Sequence, residues 1–170
     1  MKLLSDACEY ALRAVVWLAQ QPAGAYKVRE IAQATHAPPG YLVKVLQLLA
    51  RENILSGQRG SHGGFTLIRD HEDLTVLEII NIVDPMERIH TCPLGLKSHG
   101  NHLCPMHRRV DDAMAAIERG FATSTIADLT HAANSGKPSC NALSVPLEQI
   151  RPTQASPASA QYAQEAPAQE

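Results

Sequence analysis

The sequence predicts a mainly α-helical protein with one small β-hairpin wing, continued by a long C-terminal helix. Three observations carry this. Two short helical segments lead into a third whose apolar residues Leu42, Val45, Leu46 and Leu49 form a single stripe. A glycine-rich tip, Arg59-Gly60-Ser61-His62-Gly63-Gly64-Phe65, follows them. Then, after a loop dense in cysteine and histidine, a proline opens a helix with an apolar stripe of its own. Such an order is that of a winged helix-turn-helix.

Each element has a local reason. Ser5 or Asp6 can cap a first helix that runs to Gln21 and stops at Pro22, with Tyr10, Ala11, Ala14, Val15 and Leu18 at helical spacing. A second helix is expected over about Val28–Thr35, and the turn His36-Ala37-Pro38 leads to Pro39 at the start of the third. Ile54-Leu55 and Phe65-Thr66-Leu67-Ile68 read as strands joined by the glycine-rich tip. Thr75-Val76-Leu77-Glu78 is a capping box opening a helix through Val83 that ends before Pro85. Pro105 begins the long helix, on which Val110, Met114, Ile117 and Phe121 recur at intervals of four, three and four. This stripe needs a partner surface, and a second subunit or the N-terminal domain of the same chain would supply one.

Composition bounds the class. At 170 residues the chain suits one domain plus an appendage, since single cores serve domains of roughly 100–200 residues. The longest apolar run, Ala14 to Ala19, falls far short of the roughly 20 residues that span a bilayer, and the N-terminus has no cleavable signal pattern. No membrane association is expected, and the cytoplasm is the expected compartment. Its four cysteines are then reduced thiols or metal ligands rather than a disulfide framework. Net charge is −2, yet residues 1–69 hold eight Lys and Arg against four acids. The basic half is the half with the helix-turn-helix, as attraction to a phosphate backbone requires.

The third helix has the chemistry of a recognition helix. An α-helix fits the major groove of double-stranded DNA. Gly40 permits close approach, Tyr41 and Gln47 can hydrogen-bond, and Lys44 and Arg51 can reach phosphates or guanines. A glycine-rich wing lets backbone lie against the duplex, with Arg59 and His62 placed to enter a minor groove or grip its phosphates. Between Arg88 and His107, two thiols (Cys92, Cys104) and four imidazoles (His90, His99, His102, His107) crowd together, a density of soft donors that suits a metal-sensing loop. Cys8, on the first helix, reads as a small buried hydrophobe. His36, His71 and His131 read as solvated or DNA-facing.

The expected organisation is a DNA-binding domain over 1–84, a Cys/His sensor loop over 85–104, a dimerisation helix with a short terminal helix over 105–131, and a flexible tail over 132–170. In that tail Ser, Pro, Ala and Gln dominate and Cys140 is incidental.

Several residues carry a family resemblance: Met1-Lys2-Leu3, Tyr10-Ala11-Leu12-Arg13, Ile31-Ala32, Tyr41-Leu42, Leu46, Leu49, Arg59-Gly60 with Gly63-Gly64-Phe65 and Leu67, and Thr125-Ile126-Ala127-Asp128-Leu129. Over about residues 1–131 the chain resembles the IscR/NsrR-like regulators, the Rrf-two family. The resemblance implies a homodimeric winged-helix transcription factor, usually a repressor acting on an inverted-repeat operator. It implies long helices that pair through Val110, Met114, Ile117 and Phe121, and a loop that carries an iron–sulfur cluster on cysteines. Cys92, Cys104 and His107 fall on the first, third and histidine positions of the commonest ligand pattern, but Ser98 stands where the middle cysteine would be. Some relatives recruit an acidic side chain from the partner's first helix, and Glu9 falls on that position.

Three readings of the loop follow. One is a two-iron two-sulfur cluster with mixed Cys/His or Cys/Glu ligation, completed by Glu9 or by His90, His99 or His102. Another is a zinc site of Cys92, Cys104, His107 and one further histidine. The third is a thiol switch or metal-free regulator. An enzyme is not expected: no acid lies between Arg88 and His107 to serve as general base, and neither a phosphate-cradling loop nor a nucleophile elbow occurs. A winged-helix protein-interaction adaptor is the other alternative.

Overall fold

The computed structural model describes residues 3–60, 63–95 and 102–131. Ser61 and His62 at the wing tip, Ser98 and His99 in the Cys/His loop, and the tail with Cys140 lie outside the described residues. Six helices and one hairpin appear in the order α1 Asp6–Gln20, α2 Val28–Thr35, α3 Pro39–Arg51, β1 Leu55–Gln58, β2 Gly64–Leu67, α4 Val76–Val83, α5 Pro105–Thr123 and α6 Ile126–His131.

The Ser5 side chain accepts from the Cys8 N–H at 3.4 Å to start α1. Asp6 and Glu9 in its first turn complement the helix dipole. The helix ends at Gln20, one residue earlier than expected. Gln21 is already extended, as the residue before a proline is pushed to be. Ala11, Ala14 and Val15 are fully buried, and α2, α3, α4 and α6 all pack against this helix. Between α2 and α3, His36 adopts the left-handed conformation (φ 53°) and makes the turn. The turn aims α3 so that Leu42, Val45, Leu46 and Leu49 enter the core.

In the hairpin, Leu55 pairs with Leu67 and Gln58 with Gly64. β1 begins after Ile54 because the Ile54 backbone is already committed. Its N–H donates to Leu49 at the end of α3, and its carbonyl accepts from Ile68. Tyr26 adds a single residue of pairing beyond β2, exchanging backbone hydrogen bonds of 3.0 and 2.8 Å with Phe65. Gly64 is required there, since a Cβ would collide with the Tyr26 backbone.

Thr75 and Glu78 form the expected capping box of α4. The short α6 does not stand apart with α5 but returns to the core. Thr125 bridges Thr75, the Ile126 N–H donates to the Leu74 carbonyl at 2.8 Å, and the Ile126 side chain is fully buried.

Gly64→Ala should lower stability by more than about 1 kcal/mol. Gly120→Ala, in an open position of α5 with nothing near its Cβ, should raise it by roughly 0.5–1 kcal/mol. Urea midpoints decide, and a neutral Gly64→Ala would contradict the close approach of Tyr26. Hydrogen bonds from Thr75 hold the Glu78 carboxyl below its ordinary range. Its contribution is therefore complete above the unfolded-state value and is lost as pH falls through the lower folded-state one. The stability gap between the parent and Glu78→Ala, under about 1 kcal/mol for so exposed a group, should be constant near neutrality and close in acid.

Candidate DNA interface and metal centre

Burying one stripe of α3 leaves Gly40, Tyr41, Lys44, Gln47 and Arg51 exposed on the other. A groove of about 860 Å³ runs between α3 and the hairpin, and Gln47, Arg51 and Arg59 all line it. Tyr41 and Lys44 lie on the same exposed face, nearer the start of α3, and do not line the groove. Tyr41 packs edge-on against Tyr10 at 5.9 Å. Nothing occupies the space beside Gly40, so backbone can be approached there. Sequence reasoning missed Asn53, Ser56 and Gln58, polar residues that also line the groove. Alternation along β1 alone could have found Ser56 and Gln58. Asn53 becomes visible only with its positive φ of 58° at the turn out of α3.

Cys104 is the N-cap of α5 and Pro105 its first residue, so His107 stands one turn in on the same face. His107 Nδ1 lies 3.2 Å from Cys104 Sγ and 3.5 Å from Cys92 Sγ. The three donor atoms all lie within 4.8 Å of one another, with Cys92 buried. A tetrahedral ion bound at about 2.3 Å from sulfur and 2.0–2.1 Å from nitrogen needs donors roughly 3.5–4 Å apart. This soft set fits one such ion, or one iron of a cluster. Four ligands are the rule for either, and the chain itself brings three together.

The other candidate donors are elsewhere. His90 and His102 are exposed and outside the triad. Glu9 is paired with Arg13 on its own helix at 2.7 Å. Cys8 is a core residue whose thiol is pushed up by burial, partly offset by the Ser5 hydrogen bond. It also lines a cavity of about 200 Å³ with Leu3, Leu4, Met86, Met114 and Ile117.

The α5 stripe is divided. Phe121 packs against the core of the same chain, Met114 and Ile117 are half-buried over the cavity, and Val110 is exposed with Met106.

Arg88 has a role that no local pattern announces. Its Nε and Nη2 donate to both carboxylate oxygens of Asp111 at 2.6 Å, and Nη1 donates to Glu118 at 3.3 Å. The Ile89 N–H adds a third bond to Asp111 at 3.1 Å. Arg88 holds the Asp111 carboxyl below its usual range and is itself stabilised in its charged form.

Helix-turn-helix, hairpin and exposed polar stripe together define a winged-helix fold. The chain belongs to the Rrf2 family: the family model, an iron-dependent transcriptional regulator, matches residues 4–132. A protein assigned as an HTH-type transcriptional regulator from Aquifex aeolicus is 28% identical over 130 residues, covering 75% of this chain and 90% of that protein. A similarly assigned protein from Mycobacterium tuberculosis is 31% identical over 94 residues, covering 54% of this chain and 58% of the relative. Among solved structures, CymR, described as the global cysteine regulator of B. subtilis, superposes with a TM-score of 0.64 at 19% identity, covering 78% of this chain and 98% of that one. IscR of T. potens gives a TM-score of 0.64 at 21% identity, over 81% and 91%. Likeness at these identities is one of fold. Among the described residues no helix is long and apolar enough to cross a membrane.

Proposed function

We propose that the protein is a homodimeric, cytoplasmic repressor that binds an inverted-repeat operator and whose affinity for it is set by a metal centre on Cys92, Cys104 and His107. The observation that carries this reading is the pairing, in one chain, of a polar groove between α3 and the wing with a compact Cys/Cys/His triad at the start of α5. Gln47 and Arg51 read the major groove with Gly40, Tyr41 and Lys44, while Arg59 and His62 of the wing take the adjacent minor groove or its phosphates. Lys44, Arg51 and Arg59 make no ion pair among the described residues and are free to meet phosphate or guanine. The dimer seam runs along α5 through Val110, Met114, Ile117 and Phe121, with exposed Val110 and Met106 as its outer contacts.

In this reading the centre is an iron–sulfur cluster of the two-iron type, with Glu9 of the partner subunit as fourth ligand in exchange for its pairing with Arg13. A cluster bound across the dimer would fix the spacing of two recognition helices, which operator half-sites demand. The effector then acts only through its differential affinity for the two spacings. One observation favours a second reading. The donor triangle is small enough to close around a single tetrahedral ion, so zinc is the alternative occupant.

Alanine at Lys44, Arg51 or Arg59 should cost about 1–3 kcal/mol for a base contact, or flatten the salt dependence for a phosphate contact. Titration of operator DNA, with sedimentation of the complex, measures both this and the two-subunit stoichiometry. Unchanged affinity in the triple variant would overturn the interface. Anaerobically purified protein should contain iron and sulfide, both lost in Cys92→Ala and in Cys104→Ala but kept in Cys140→Ala. Stoichiometric zinc without sulfide would select the second reading, and a metal-free protein with full operator affinity would reject both.

A further inference from the structure

The three candidate ligands come from two separately held pieces of chain. Cys104 and His107 are fixed to each other by the first turn of α5, whereas Cys92 lies in a segment outside helix and strand. Along the chain, Cys92 joins the other two only through residues 93–103. Something else must set its position, because the Cys92 sulfur lies within hydrogen-bonding reach of His107.

One contact ties the segment that carries Cys92 to α5. Arg88 precedes Cys92 by one short step of chain and closes a two-pronged bond onto Asp111, with Ile89 contributing its N–H to the same carboxylate. Asp111 is one helical turn beyond His107, and Glu118 two turns further along the same face. Arginine's planar fork fixes direction as well as distance when it meets a carboxylate in this way. Two consecutive residues, 88 and 89, are thereby docked on the helix that carries the other two ligands.

We propose that Arg88 and Asp111 are positioning residues of the metal centre: their clamp holds Cys92 in register with Cys104 and His107, so that the triad is assembled before an ion arrives. The proposal rests on the metal-binding reading of the triad. Residues that orient ligands without touching the metal are a general part of such centres. Preorganisation raises affinity by removing the ordering cost from the binding step. The clamp also ties the segment to α5, so its role at the centre is separated from a structural one by measurements on the ligands themselves.

The test uses the full-length protein, stripped of metal under reducing, oxygen-free conditions. Zinc and cobalt(II) affinities are measured by chelator competition, and the cobalt absorption bands report the coordination sphere. Arg88→Gln and Asp111→Asn should each weaken both ions about 10–100-fold. Arg88→Lys, which keeps the charge but not the fork, should recover little of this, and the swapped pair Arg88→Asp with Asp111→Arg should recover more. Arg69→Gln, which breaks an exposed ion pair with Glu78 that shares no residue with the clamp or the triad, should leave metal affinity unchanged. A second measurement needs no metal. Cys92 is buried, so iodoacetamide should modify it at least tenfold faster in Arg88→Gln than in the parent, while Cys104 changes by less than twofold. Metal affinity within threefold of the parent in both clamp variants, or an unchanged Cys92 alkylation rate, would overturn the proposal. A parent chain that binds neither zinc nor cobalt would instead remove the metal reading, with the alkylation rate still deciding whether the clamp holds Cys92.

Discussion

Everything in this fold depends on how closely α1 can be approached. The distance between packed helices is set by the side chains at their contact, and the inward face of α1 offers Ala11, Ala14 and Val15, none with any exposed surface. The two alanines let α2, α3, α4 and α6 close on a single helix. An added methylene at either would have no void to fill, and overpacking costs about 1–3 kcal/mol. The consequence reaches the exposed side of α3 directly. Once Leu42 and Leu46 are drawn into this core, helical geometry leaves Gly40, Lys44, Gln47 and Arg51 on the opposite side. The exposed face of α3 is the geometric complement of its buried one.

The wing is held to the same core by different means. Phe65 is buried, Leu55 is buried beside it, and the Phe65 ring packs on Gly57. Tyr26 joins the far edge of β2 through two backbone hydrogen bonds and carries the edge of Trp17 against its own ring at 5.1 Å. A two-stranded hairpin alone is marginal in water. Here the extra residue of pairing and the aromatic contact tie it to α1, and the width of the groove between α3 and the wing is an outcome of core packing rather than of the loop sequence.

Local signals were legible and long-range ones were not. Ser5, the Thr75–Glu78 box, Pro39 and Pro105 mark helix starts because a cap acts within one turn, and the structure uses each of them. Cys104 and His107 stood out through the Cys/His density of the loop and the family resemblance, and it is the first turn of α5 that sets them side by side. The edges of the hairpin shifted because Ile54 donates back to Leu49 of α3 and accepts from Ile68 at once, a double commitment that residue type does not reveal. Arg88 and Asp111 were invisible. They are 23 residues apart, and an arginine–carboxylate pair has no period to betray it. The stripe on α5 read as one surface, yet the chain turns Phe121 inward and leaves Val110 out. Periodicity identifies a face without saying how much of it the same chain covers.

The start of α5, with Cys104 and His107, is constrained by how that helix is pinned. At its C-terminal end, Ser124 and Thr125 bond to Val76 and Thr75 at the start of α4. Nearer its N-terminus, Asp111 is bonded to Arg88 and Ile89, on the segment that leaves the end of α4. Helices α4 and α5 are thus tied to each other near both ends. The triad cannot slide relative to α4 without breaking several hydrogen bonds together. Where this pair meets α1 there is a cleft of about 200 Å³ lined by Cys8, Met86, Met114 and Ile117. Close-packed interiors resist deformation, and voids are where packed elements have room to shift. Room for α4 and α5 to shift therefore lies at their contact with α1, the helix on which α3 is also packed.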